Sequence, residues 1–183
     1  MTLRESAGRC VTRRALVLSL LIVGVASTFP PCLGWAGSPK DDFNQRLRTG
    51  QSLFQQGKID AAIAEFKAAV AAQPDSSIAH LWLGRALGRK IENAGPLQAV
   101  LMVGDVRREF EQAVALDPND LEARADLLQF YLGAPRAFGG GIEKAEAQAD
   151  AIAKLDPAMG QRARALTEEK VRPDRGRAVG DEE

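Results

Sequence analysis

The sequence predicts an all-α protein, a helical solenoid of about three stacked helix pairs closed by a C-terminal capping helix. Two observations carry that prediction. Sets of small and bulky packing residues ending in a proline recur in phase three times along the chain. Alanine supplies 30 of the 183 residues while aromatics make up only 5%. Such a composition suits helices packed at close range rather than a core filled by rings.

The chain opens with Arg4, Arg9, Arg13 and Arg14 ahead of an apolar stretch from Ala15 to Phe29. A basic start followed by an apolar run of this length is the pattern of an export signal. As a helix the run would reach about 22 Å at ~1.5 Å per residue, short of the ~30 Å hydrocarbon core. That favours cleavage over a permanent anchor. Pro30-Pro31 ends the segment, and Gly34-Trp35-Ala36 supplies small residues for a cut after Ala36, with a cut near Ser27 as the alternative. Thr12-Arg13-Arg14-Ala15-Leu16-Val17 resembles the twin-arginine export motif, so that route and ordinary secretion both stay open. The Phe29-Pro30-Pro31 run before Cys32 does not suit a lipoprotein site.

Removing 1–36 changes the arithmetic. The whole chain has 24 basic and 24 acidic residues; without the signal 20 basic face 23 acidic ones, a net charge of −3. Both cysteines, Cys10 and Cys32, leave with the signal. The rest offers no thiol for a disulfide, a nucleophile or a metal site. A mildly acidic chain with dispersed basic residues argues against nucleic acid as a partner. The expected location is periplasmic or secreted; an uncleaved signal would instead anchor the protein, and would be its one membrane contact.

After a short linker at 37–42, the solenoid is expected over 43–171, with repeats at about 43–76, 77–120 and 121–158. Gly50 and Leu53 return as Gly84 and Leu87 at a spacing of 34. Ala62, Phe66, Ala69 and Pro74 return as Val106, Phe110, Ala113 and Pro118, shifted by 44, then as Ala145, Ala149, Ile152 and Pro157, shifted by a further 39. One period of 34 thus carries insertions of 10 and then 5 residues. Within 60–72 the apolar positions Ile63, Phe66, Ala69 and Val70 mark one buried helical stripe. Gly57 ends the helix before it, Asp60 is expected to cap it, and Pro74, Pro118 and Pro157 stop each second helix. Asp117-Pro118-Asn119-Asp120 starts the next one.

These residues resemble the tetratricopeptide repeat family, whose small, aromatic, small and proline pattern is met by Ala62, Phe66, Ala69 and Pro74. The arrangement is also similar to exported bacterial proteins of that family with no assigned role. Leu83-Gly84, Leu87, Phe110 and Ala113 carry the pattern in the second repeat, and Tyr131 with Leu155-Asp156-Pro157 in the third. The third repeat departs from it, with Leu128 in place of the first-helix glycine and Ala149 in place of the second-helix aromatic. The resemblance implies a protein-binding scaffold with the first helix of each repeat lining a concave groove.

The insertions set this chain apart. Gly95-Pro96 reads as a stop and a new helix start, followed by a helix 96–116 lengthened by about three turns. Leu97, Val100 and Leu101 on that extension are too apolar to stand in water alone. They either fold against the 134–141 loop or form a protruding interface for a partner or a second copy. The loop's Gly139-Gly140-Gly141 run lacks the lysine and hydroxyl residue of a phosphate-binding loop and reads as a tight turn. The segment 161–171 is expected to be the capping helix, and 172–183 a polar, disordered tail.

No catalytic, cofactor or metal site emerges. His80 is the single histidine and is expected to pack against its neighbours. Glu65, Glu109, Glu111 and Glu122 are expected on solvated faces. The groove register gives Gln51, Phe54, Gln55, Leu81, Arg85, Arg89 and Gln129 as candidate partner-binding residues, with Asn44, Ile78 and Glu122 beside them. Arg85 and Arg89, one turn apart, are expected to project together toward a carboxylate or an extended peptide. The expected function is therefore an exported adaptor, not an enzyme and without cofactor, whose partner is a peptide or protein; the alternative is a self-associating module using 96–116. Intact-mass spectrometry of the exported protein should give a chain that starts at Gly37; a mass retaining all of 1–36 would mean that the signal stays on as an anchor.

Overall fold

The computed structural model describes residues 39–178. The expected signal at 1–36 with its two cysteines lies outside the described residues, as do the last five positions of the expected tail. Seven helices follow one another among the described residues: α1 Pro39–Gln55, α2 Ile59–Ala72, α3 Ser77–Glu92, α4 Pro96–Leu116, α5 Leu121–Gly133, α6 Ile142–Leu155 and α7 Pro157–Ala178. They form three antiparallel pairs, α1 with α2, α3 with α4 and α5 with α6, and α7 closes the end of the stack.

Local chemistry sets most of the boundaries. Helix α1 already begins at Pro39, inside the linker expected at 37–42. Proline costs little in a first turn, where its missing N–H would lack a partner anyway, and Asp41 and Asp42 suit the positive helix end. Gly57, at φ +74°, turns the chain between α1 and α2. Asp60 does not cap α2: the helix starts at Ile59, and Asp60 accepts a hydrogen bond from Lys90 Nζ at 2.6 Å. Gly95 and Pro96 start α4 as the sequence implies. Asp120 caps α5 by accepting from the Glu122 and Ala123 amides at 2.9 and 3.1 Å. Asp156 does the same for α7 through the Ala158 and Met159 amides.

Two lengths differ from expectation. Helix α4 has 21 residues against 14 in α2 and in α6, so the extension is about two turns rather than three. Other inserted residues lengthen α3, which runs on to Glu92. At the other end α7 starts at Pro157 and continues to Ala178, through positions expected to be tail. Extending a helix that is already nucleated costs far less than starting one, so no apolar stripe is needed there, and the helix runs on through Pro173 and Gly176 although both are poor helix formers.

The helices fit because small and large residues oppose each other. Phe66 of α2 and Phe110 of α4 are buried. A methyl group added at Gly50 would lie 2.6 Å from the Phe66 ring, and one at Gly84 would lie 2.8 Å from the Phe110 ring. Each ring therefore rests where α1 or α3 has no side chain. The third pair reverses the sizes: Leu128 on α5 and Ala149 on α6 are both buried, so the bulk comes from the first helix and the gap from the second. The departure from the family pattern thus keeps one large and one small buried residue at the two positions.

Polar groups lock the joints between pairs. His80 is buried, with Nδ1 2.7 Å from Glu109 Oε2 and Nε2 2.9 Å from the Pro74 carbonyl. It ties the α2–α3 turn to α4, and Glu109 is correspondingly withdrawn from the solvated face expected for it. Glu111 is also engaged, accepting from Tyr131 Oη at 3.0 Å. Burial, and then that bond, push the Tyr131 hydroxyl up to about 12. Gly84→Ala should lower unfolding free energy by about 1–3 kcal/mol, because the added carbon overpacks a filled space. Urea denaturation of Gly84→Ala, Phe110→Leu and the double variant should show coupling of at least about 0.5 kcal/mol; strict additivity would contradict the packing account.

Candidate functional site

The first helices form an inner row. Helices α1 and α3 touch, as do α5 and α7, whereas the backbones of α3 and α5 stand farther apart. An open groove occupies the space between α3 and α5. Phe54 from α1, Trp82, Arg85, Gly88 and Arg89 from α3, and Asp126 and Gln129 from α5 line it. Trp82 sits at its centre, with its ring 5.9 Å from Phe66 and nearly parallel to it, and edge-on to Phe54 at 5.8 Å.

Of the residues named from sequence, Phe54, Arg85, Arg89 and Gln129 line this groove. Leu81 does not: it is only 3% exposed and belongs to the core. The groove position is its neighbour Trp82, about 100° further round the helix. Alternation between core and groove is hard to place in an inner helix, because such a helix is apolar over more than half its circumference. Gln55 is exposed and Gln51 half-buried on α1, and neither borders the groove. Ile78 and Asn44 are exposed away from it.

The two arginines do not form a free pair. Arg85 donates from Nε to Asp126 Oδ2 at 2.5 Å and from Nη2 to Glu122 Oε2 at 3.0 Å. Its guanidinium also lies 5.0 Å from the centre of the Trp82 ring. Burial pulls the Arg85 guanidinium down, but the two carboxylates more than restore it. Burial pushes the Asp126 carboxyl up, against the pull of Arg85. The cluster is an internal brace between α3 and α5. Arg89 is more open: its guanidinium lies 5.7 Å from the Phe54 ring centre and 3.2 Å from Glu92.

The lengthened helix meets the second insertion. Val100 and Val103 of α4 face Ala134, Pro135 and Phe138 across an open apolar cleft of about 500 Å³. Leu97 and Leu101, at 77% and 74% exposed, point elsewhere. The extension thus has two faces, one toward the loop and one bare. In the loop, Gly139 at φ +90° and Gly141 at φ +145° adopt backbone conformations that other residues avoid. The Gly140 amide bonds to the Pro135 carbonyl and the Gly141 amide to that of Tyr131. These amides are used within the fold, so the run is a turn and not a phosphate cradle.

Among the described residues, no group of three or more His, Cys, Asp or Glu side chains could hold a metal ion. None of the described helices is long and apolar enough to cross a membrane.

Residues 47–94, from the middle of α1 to the end of α3, match the family model for the tetratricopeptide repeat. No curated protein matches the chain by sequence. Among solved structures, the chain is similar to the second tetratricopeptide domain of human RPAP3 in complex with an HSP70 peptide. The TM-score is 0.56 at 17% identity, over 71% of this chain and 98% of that one. PcrH, known from Pseudomonas aeruginosa, in complex with the chaperone binding region of PopD gives 0.58 at 18% identity, over 74% and 95%. The type III secretion translocator chaperone SycD of Yersinia enterocolitica gives 0.57 at 15%, over 73% and 95%. At such identities the likeness is one of fold. Residues 47–94 thus match the tetratricopeptide repeat, and the helix-pair solenoid around them has the fold of tetratricopeptide domains.

Proposed function

We propose that this protein is a protein-interaction scaffold whose concave groove binds an extended segment of another protein. The carrying observation is the open groove across three inner helices, centred on Trp82 and lined by Phe54, Arg89 and Gln129. Aromatic faces with an accessible guanidinium and a side-chain amide suit a peptide backbone and its apolar side chains. Complexes of RPAP3 with an HSP70 peptide and of PcrH with a segment of PopD support this use of the fold. The reading also needs no reactive group: His80 is packed between Glu109 and Pro74. The basic and apolar N-terminal pattern supports a place of action outside the cytoplasm, in the periplasm or beyond.

Exposed Leu97 and Leu101 favour a second reading, self-association through α4. Leu101→Asp would convert an oligomer to a monomer in light scattering on that reading and leave a monomer unchanged on the first. Trp35 and Trp82 are the two tryptophans, so Trp35→Phe leaves Trp82 as sole reporter of the groove. Peptides selected from a random library should shift its emission, and Phe54→Ala with Arg89→Ala should weaken them by about tenfold or more. Affinity unchanged in that double variant would contradict the groove as the binding surface.

A further inference from the structure

We propose that the two insertions jointly build a second compartment of this groove, which admits an apolar segment with a basic flank and rejects acidic peptides. The inference rests on the groove reading above and adds the chemistry of the occupant. The extension of α4 and the 134–141 loop are separate insertions, yet Val100 and Val103 of one face Pro135 and Phe138 of the other. Val106 and Phe130 border both this cleft and the central groove, and so do Gly88 and Glu92. The two spaces therefore form one trough, aromatic at Trp82 and aliphatic at Val100.

Its charges decide what fits. Arg85 is engaged by Asp126 and Glu122, whereas Arg89 stands at the exposed rim of the central groove, 3.2 Å from Glu92. Among the described residues, Glu92 is the one charged residue bordering the aliphatic compartment, and no lysine or arginine borders it. In that compartment an incoming carboxylate would be desolvated beside apolar walls and next to Glu92, whereas a lysine or arginine would meet a carboxylate. A neutral apolar run places side chains in both compartments, and a basic neighbour then lies near Glu92.

Adjacent residues supply the control. Val100 borders the cleft at 45% exposure, while Leu101 points away from it. Random short peptides are selected on the full-length protein, and their affinities are read by fluorescence anisotropy. Selected sequences should be rich in Leu, Ile and Phe with Lys or Arg, and poor in Asp and Glu. Val100→Asp should weaken them by about tenfold or more, since it buries a charge against the apolar segment, and Leu101→Asp should change them less than about twofold. Replacing the peptide's basic residues by Glu should abolish binding. Thermal melts check that both variants stay folded; should Val100→Asp unfold, Val100→Ser takes its place with a smaller loss expected. Acidic selected peptides, or an affinity indifferent to the change at Val100, would overturn the inference. Peptides sensitive to Phe54→Ala but not to Val100→Asp would leave the groove reading standing and defeat this one. Failure to select any peptide would defeat both.

Discussion

The structure depends on a phenyl ring meeting a helix where no side chain is present. Phe66 rests on α1 at Gly50, and Phe110 rests on α3 at Gly84. Dispersion falls steeply with distance, so these rings contribute fully only if the helix axes come this close. The contact also reaches the functional surface. Trp82 stacks on Phe66, and Arg85 lies over Trp82 and bonds to Asp126 on α5. In the next repeat Phe110 packs edge-on to Phe130, which borders the apolar cleft. Core packing and groove geometry are two ends of the same stack of side chains.

That arrangement explains how the groove stays open. A gap between α3 and α5 would be expected to close by burying Trp82 and Phe54 further. The Arg85 brace resists closure, because moving the helices together would desolvate three charges. The polar cluster is a spacer more than a source of net stability, with exposed Glu122 contributing little. His80 acts similarly on the outer side, holding the turn at Pro74 against α4. A groove held in place before its partner arrives avoids the cost of ordering on binding.

Much of this fold was legible from local sequence. Gly95-Pro96 through its backbone, and Asp120 through a carboxylate that caps amides two and three residues on, act locally, so the starts of α4 and α5 could be read directly. The spacing of Gly50, Phe66, Gly84 and Phe110 carried the helix pairing, because ring and gap sit on consecutive helices. What escaped was nonlocal. Asp126 meets Arg85 across 41 positions, and periodicity says nothing of such partners. Choosing Leu81 over Trp82 reflects the broad apolar surface of an inner helix, where a one-residue error exchanges core for groove. Leu128 and Ala149 each depart from the pattern when read alone, and that the pair keeps one large and one small buried residue shows only when both helices are seen together.

The central claim is that the packing of rings on bare helix positions presents a preformed groove on α1, α3 and α5 for a peptide. Nuclear magnetic resonance of the labelled protein, recorded with and without a bound peptide, tests it most directly. The account predicts that shift changes concentrate at the Trp82 indole, Arg89, Gln129 and Val100, with little change at the outer residues Lys67 and Glu146. Changes centred on α2 and α6, or a spectrum that reorganises throughout on binding, would contradict it.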